Sequence, residues 1–194
     1  MAKAARKAHR KTAAQARRRR LAARHTPRGK DAIALLKTDH REVASWFAQF
    51  QTARSGARKL ELARKICAAL RAHVTIEEEL FYPAFLQATN ERSIHHEAET
   101  EHDAAKRLIA EIERSGPDNE YYDAKVKVLA EMIKHHFREE EKPGGMFARA
   151  RRSSMDLREL GKQLKTRKDE LSDDGGEMRR IVSELTTGPW LLTP

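Results

Sequence analysis

The 194-residue chain has one cysteine, Cys67, so no internal disulfide can form. That fits a reducing compartment and leads to the expectation of a cytoplasmic protein. No apolar run approaches the roughly 20 residues that span a bilayer. The N-terminus is basic but lacks the apolar stretch of a secretory signal. Strand signals are almost absent, and helix formers dominate from Asp31 to Leu171, so the expected class is all-α. Acid is missing altogether from residues 1–30, and so are large apolar residues, with only Leu21 after Met1.

What that first segment does hold is cation. Residues 1–30 carry 12 of the 39 Lys and Arg, including Arg17-Arg18-Arg19-Arg20, which leaves 27 basic against 29 acidic residues in the remainder. The whole-chain charge of +10 therefore splits into a near-neutral domain and a strongly basic arm. A segment this poor in apolar side chains cannot offset its ordering entropy, and disorder is expected. Such an arm suits non-specific contact with nucleic-acid phosphates. No aromatic residue interleaves its cations, so base stacking is not supported.

Four amphipathic helices follow. The first runs over 32–53 behind Asp31, with Ile33, Leu36, His40, Val43, Phe47 and Phe50 on one face. The second spans 58–88. Pro83 lies inside it and cannot donate to the carbonyl of Glu79, so a kink or break is expected near Glu79–Pro83. The third spans 93–114 and ends at Ser115-Gly116-Pro117-Asp118; the fourth spans 120–142 and is stopped by Pro143-Gly144-Gly145. Short connections make neighbours antiparallel, giving an up-down-up-down four-helix bundle over residues 31–142. A linker and an additional helix over 155–171 fill residues 143–172. A tail over 173–194 ends near Trp190, Leu191 and Leu192.

The informative polar residues lie on the apolar stripes. His73 and Glu77 are four apart in line with Leu62, Ile66 and Leu70, and His136 and Glu140 repeat the spacing in line with Val126, Leu129 and Ile133. His40 and His102 occupy single stripe positions on the other two helices. Six polar groups turned towards one core would be costly without a partner, and imidazole with carboxylate suits iron, or else zinc or manganese. Two glutamates on two helices can bridge a dinuclear pair. His135 and Glu139 repeat the spacing on a neighbouring face, but His136 and Glu140 continue the apolar line. Adjacent His95 and His96 are expected to be exposed, and Cys67 to be a small core residue.

The set His40, His73-x-x-x-Glu77, His102, His136-x-x-x-Glu140, with Asp39-His40, Glu77-Glu78-Glu79-Leu80-Phe81-Tyr82-Pro83 and Glu101-His102-Asp103 around it, resembles the hemerythrin-like, or HHE cation-binding, family. The resemblance covers about residues 31–142. It implies a four-helix bundle with a non-haem di-iron centre held by His40, His73, Glu77, His102, His136 and Glu140, in reversible contact with oxygen or related small molecules. One departure stands out. Oxygen-carrying relatives supply two histidines four apart on the third helix, whereas here Ala98 precedes His102 and Lys106 follows it. An open position favours reactivity or sensing over carriage, with Glu78 or Glu99 as candidate replacements. A ferritin-like site needs two Glu-x-x-His copies, and only Glu99-Thr100-Glu101-His102 matches.

The functional expectation is a di-iron protein that binds or senses oxygen, nitric oxide or peroxide. The alternative is a nucleic-acid-associated regulatory or protective protein, placed at the nucleoid, that uses the arm and has the bundle as its metal-dependent sensor. Peroxidase- or catalase-like turnover is a third reading, although no proton shuttle is evident beyond weak candidates in Tyr82 and His135.

Overall fold

Capping and punctuation residues set the helix ends. In a computed structural model that describes residues 30–187, with side chains as far as Ser172, α1 spans Ala32–Thr52. The Asp31 carboxylate accepts from the Ala34 N–H at 2.8 Å and caps it. Ser55 does the same for α2, Gly56–Ile76. A π-helical stretch, Glu77–Phe81, leads into α3, Tyr82–Thr89, which ends where Asn90 turns left-handed at φ 56°. Then come α4, Arg92–Arg114, and α5, Tyr122–Glu141. The chain closes with α6, Met146–Arg152, and α7, Leu157–Thr187. The described residues contain no strand. Residues 1–29 of the basic arm, all of it but Lys30, and Trp190, Leu191 and Leu192 lie outside the described residues.

The irregularity expected near Pro83 is this π stretch, and it begins earlier than the proline alone implies, at Glu77. Pro83 sits in the first turn of α3, where its missing N–H costs nothing, and the Tyr82 N–H reaches the Glu77 carbonyl. The geometry matters for the interior. Five residues along an α-helix rotate a side chain about 140° away from its starting face. The wider π turn brings Tyr82 back to the inward side, and both Glu77 and Tyr82 are fully buried.

The bundle core has two apolar clusters. One joins Val43, Phe47, Phe50, Leu62, Ile66, Leu70, Ile109, Leu129 and Ile133. The other joins Ile33, Leu36, Ile76, Phe81, Phe85, Ala98, Met146, Phe147, Leu160 and Leu164. Along α1, α2 with the π stretch, and α4, and on passing from α5 into α6, the change from one cluster to the other falls at the polar residues. His40 lies between Leu36 and Val43, His73 and Glu77 between Leu70 and Phe81, His102 between Ala98 and Ala105, and His136 and Glu140 between Ile133 and Met146. A buried polar layer thus separates two greasy ends.

Two elements differ from the sequence reading. The supposed linker contains α6, whose Met146, Phe147 and Ala150 are buried against the second cluster. Gly145 makes the sharp approach possible: a Cβ there would meet the Glu139 carbonyl at 2.3 Å. The additional helix starts at Leu157, because Asp156 accepts from the N–H groups of Arg158 and Glu159, and its backbone runs on to Thr187 instead of stopping at Leu171. Gly175-Gly176 does not interrupt it. Leu160 and Leu164 are buried, and Gly161 presses on the start of α1, where a Cβ would meet the Ala32 nitrogen at 2.7 Å. Among the described residues, no helix is long and apolar enough to cross a membrane.

Candidate metal centre

Each bundle helix delivers one imidazole to the polar layer, and all four are at most 3% exposed. They meet as two pairs through their inner nitrogens. His40 Nε2 lies 3.2 Å from His73 Nε2, and His102 Nε2 lies 3.1 Å from His136 Nε2. The two glutamates stand between the pairs. Glu77 Oε2 is 3.3 Å from His73 Nε2 and 3.4 Å from His102 Nε2. Glu140 Oε2 is 3.4 Å from His40 Nε2 and 3.8 Å from His136 Nε2. Donor atoms close enough to share one ion form two sets: His40, His73, Glu77 and Glu140, and Glu77, His102 and His136. All six sequence-predicted residues are brought together. His135, by contrast, is half exposed, and Glu139 pairs with Lys142 at the surface.

The polar layer is short of partners. Both Glu77 oxygens, Glu140 Oε2 and His73 Nδ1 are buried with no hydrogen bond. Burial pushes the Glu77 carboxyl up to about 7, and it pushes Glu140 well above its ordinary value, helped by the charge of Glu77. Burial also drives His40 down to about 3, against the pull of Glu141. Charge is therefore expensive at these groups in the protein alone. A cation reverses that balance, because it takes neutral imidazole and ionised carboxylate together. The donor set, the orphaned oxygens and the convergent lone pairs fit a bound metal.

An outer ring of carboxylates orients the imidazoles, and it is cyclic. Asp39 of α1 faces His73 of α2, with Oδ2 3.5 Å from Nδ1. Glu78 of the π stretch faces His102 of α4 at 3.1 Å. Glu101 of α4 faces His136 of α5 at 2.8 Å, and Glu141 of α5 faces His40 of α1 at 2.7 Å. Each helix presents a carboxylate to the histidine of the next, and the hydrogen bonds at His40, His102 and His136 select the tautomer whose Nε2 lone pair points inward. Cations back three of the four carboxylates: Lys168 on Asp39, Lys106 on Glu78 and Lys37 on Glu141. Hydrogen bonding to His40, ahead of Lys37, brings the Glu141 carboxyl down to about 2. For Asp39, burial is outweighed by His73 and Lys168, so its carboxyl also stays low.

Several placements correct the sequence reading. Glu78 and Glu99 were the candidates to replace the missing histidine. Glu78 sits on the outer nitrogen of His102, and Glu99 is exposed beside His95, so neither faces the centre. His95 is not a free surface residue: its side chain is 13% exposed and its ring stands edge-on to Tyr82. The Tyr82 hydroxyl lies 3.1 Å from His102 Nε2 and donates to Glu140 at 3.4 Å. Tyr82, named from the sequence as a proton-shuttle candidate, stands at the centre, although regular helical period turns it away and only Pro83 hints at the altered turn. Cys67 is a core residue whose thiol burial pushes up to about 12, and it takes no part in the site.

Residues 31–143 match the family model described as the hemerythrin HHE cation binding domain. A curated DNA nickase from Nostoc sp. (strain PCC 7120 / SAG 25.82 / UTEX 2576) is 29% identical over 112 residues, which cover 55% of this chain and 30% of the nickase. The chain thus spans under a third of that relative. A crystal structure of a hemerythrin HHE cation binding domain-containing protein from Mycobacterium kansasii superposes with a TM-score of 0.63 at 20% identity, covering 82% of this chain and 94% of the other. At that identity the likeness concerns the fold.

Proposed function

Because the chain belongs to the hemerythrin HHE cation-binding domain family, we propose that it holds a di-iron centre on His40, His73, Glu77, His102, His136 and Glu140 and uses it to bind or sense oxygen, nitric oxide or peroxide. One observation carries the dinuclear reading. Each glutamate lies within hydrogen-bonding range, or just beyond it, of one imidazole from either pair, and both Glu77 oxygens and Glu140 Oε2 lack any hydrogen bond. A carboxylate between two nitrogen pairs is the geometry of a bridge. Imidazole and carboxylate together suit iron, with zinc and manganese as lesser fits. The outer carboxylates would hold the ligand rings in place, and the flanking Leu, Ile and Phe side chains would limit water.

Elemental analysis of the purified full chain tests this, before and after chelation and after reconstitution with ferrous iron. About two irons per chain are expected, with near-ultraviolet charge-transfer bands that respond to oxygen. Fewer than one metal per chain after reconstitution refutes the reading.

A second reading concerns nucleic acid. The basic arm and the likeness to a DNA nickase favour an association with phosphate backbones, with the bundle as its metal-dependent sensor. Removal of residues 1–30 should abolish salt-sensitive retention on DNA. Equal retention by the shortened chain rules the arm out.

A further inference from the structure

A groove of about 1190 Å³ runs between α1 and α2. Among the described residues it is lined by Trp46, Leu60, Ala68, Ala69 and Ala72, all only partly buried. That is more room than the roughly 300–1,000 Å³ of a small-molecule site. Its α2 wall is made of methyl groups, so a helix could approach closely. α7 leads into one end of it, with Leu171 and Ser172 in the lining.

Two contacts fix how α7 runs. Gly161 presses on the backbone of Ala32, and Lys168 donates to Asp39. Seven residues separate the two contacts on either helix, so α7 and α1 run parallel and in step. Arg167 pairs with Glu79 at the end of α2 and leaves α7 antiparallel to that helix. Continued by one more heptad, the same step brings Gly175 level with Trp46, the bulkiest side chain of the groove, and the next brings Val182 level with Ala53.

The residue pattern agrees with that path. Leu164, Lys168, Leu171, Gly175, Met178, Val182 and Leu185 follow one another at alternating steps of three and four, which is a single helical seam. Leu164 is buried and Leu171 packs on the same cluster, so the seam faces the bundle where it begins. Asp173, Glu177, Arg180 and Glu184 fall on the opposite side. A helix patterned in this way has one face to cover. Glycine is a poor helix former, and here it takes the one seam position that meets an indole. The lengths match as well. The α7 backbone from Leu171 to Thr187 is about 24 Å long, against about 27 Å of α2 between Thr75 and Ala57, which mark the two ends of the groove. Gly188-Pro189 then stops the pattern.

We propose that residues 173–187 occupy the α1/α2 groove of their own chain, with Gly175 over Trp46 and Met178, Val182 and Leu185 along the floor, and that this seating is a strap on the polar layer. The segment holds α7 down, α7 holds Lys168 on Asp39 and Arg167 on Glu79, and Asp39 faces His73. Lifting the strap should loosen the support of one imidazole without touching any of the six inner residues. The docking stands by itself; its effect on the centre rests on the metal reading above.

The test follows hydrogen exchange at the amides of residues 177–187 in full-length, chelated protein, which keeps the docking independent of metal. Gly175→Leu decides by sign. Leucine is the better helix former and should raise protection in a segment free in water. Against Trp46 it strikes the indole, and protection should fall about tenfold or more. Gly176→Leu, one position round towards the outer side, should not lower it. Gly175→Leu combined with Trp46→Ala should recover much of the loss, because the larger side chain then has space. In protein reloaded with ferrous iron, Gly175→Leu should release iron to a chelator about fivefold faster or more, and Gly176→Leu at the wild-type rate. Protection that holds or rises in Gly175→Leu overturns the docking. Protection that depends on protein concentration puts a second copy in the groove and overturns it too. Lost protection with unchanged iron release overturns the strap. Wild-type protein that takes up no iron sinks the metal reading and the strap with it, while the exchange result still decides the docking.

Discussion

The two apolar ends of the bundle are built by different means. Below the polar layer, Phe50, Leu62, Ile66, Leu70, Ile109, Leu129 and Ile133 come from four regular helices with no proline and no glycine past the first residue of α2. Above it, Phe81 comes from a π stretch, Phe85 from the helix behind Pro83, Met146 and Phe147 from a helix entered through Gly145, and Leu160 and Leu164 from α7. The lower end holds the helices together. The upper end is where side chains are aimed, since it sets Glu77, Tyr82 and the backing of Asp39. The largest expected effect separates these tasks. Leu129→Ala and Leu164→Ala each empty a fully buried site and should each cost about 2–5 kcal/mol of unfolding free energy, read from denaturant melts. Only Leu164→Ala should also speed metal loss to a chelator. Equal metal retention in the two variants would erase the distinction.

The same contrast governs what the sequence reveals. The lower end is legible because its signals are local and periodic: Asp31 and Ser55 cap helices, Gly116-Pro117 turns the chain, and Leu62, Ile66 and Leu70 keep one helical step. The inward positions of His40, His73, His102 and His136 follow from the same period. The upper end departs from it. Pro83 announces a disturbance but not that Glu77 opens a wider turn, and without that turn Tyr82 reads as facing away. Met146 and Phe147 follow two glycines and read as linker, because their burial depends on a distant cluster. The outer carboxylates are visible only as acidic neighbours of the inner residues: Asp39 beside His40, Glu78 beside Glu77, Glu101 beside His102 and Glu141 beside Glu140. Adjacency does not reveal that each serves the histidine of the next helix.

Within the polar layer, stability and function should oppose each other. Glu77 is wholly buried, its carboxyl is held up to about 7 against an ordinary 4.5, and its oxygens lack partners. In chelated protein its contribution is fully present below about pH 4.5 and is lost as pH rises through about 7, because the unfolded chain ionises first. His40, held down to about 3 against an ordinary 6.5, contributes fully above about pH 6.5 and is lost as pH falls towards 3. The metal-free protein should therefore weaken in both directions from mildly acid pH. Glu77→Gln should remove its own share of the alkaline limb and leave that of Glu140, gaining roughly 1–3 kcal/mol at pH 8 and almost nothing at pH 4. It should also lose most of its metal. Urea melts at several pH values, with chelator present, measure the first; elemental analysis measures the second. A Glu77→Gln advantage that grows towards acid pH contradicts the assignment.

The smallest effect concerns how the upper end reaches the centre without touching it. Lys168 of α7 donates to Asp39 Oδ1 at 2.5 Å, and the other oxygen of that carboxylate faces His73. Lys106 backs Glu78 in the same manner, but Glu78 is 30% exposed while Asp39 is 7% exposed, so water can replace Lys106 more readily. Methionine keeps the stem of either lysine and removes the charge. Lys168→Met should weaken metal binding by about 1–2 kcal/mol, since it leaves Asp39 buried without its cation. Lys106→Met should cost about 0.5 kcal/mol or less. Lys168→Arg should restore much of the loss, and a purely structural contact would not show that dependence on charge. The readout is competition against a chelator of known affinity, with thermal melting of the chelated protein alongside. A Lys168→Met variant that melts earlier but binds metal as tightly as wild type would show that α7 only packs against the bundle, and the ring around the histidines would then end at Asp39.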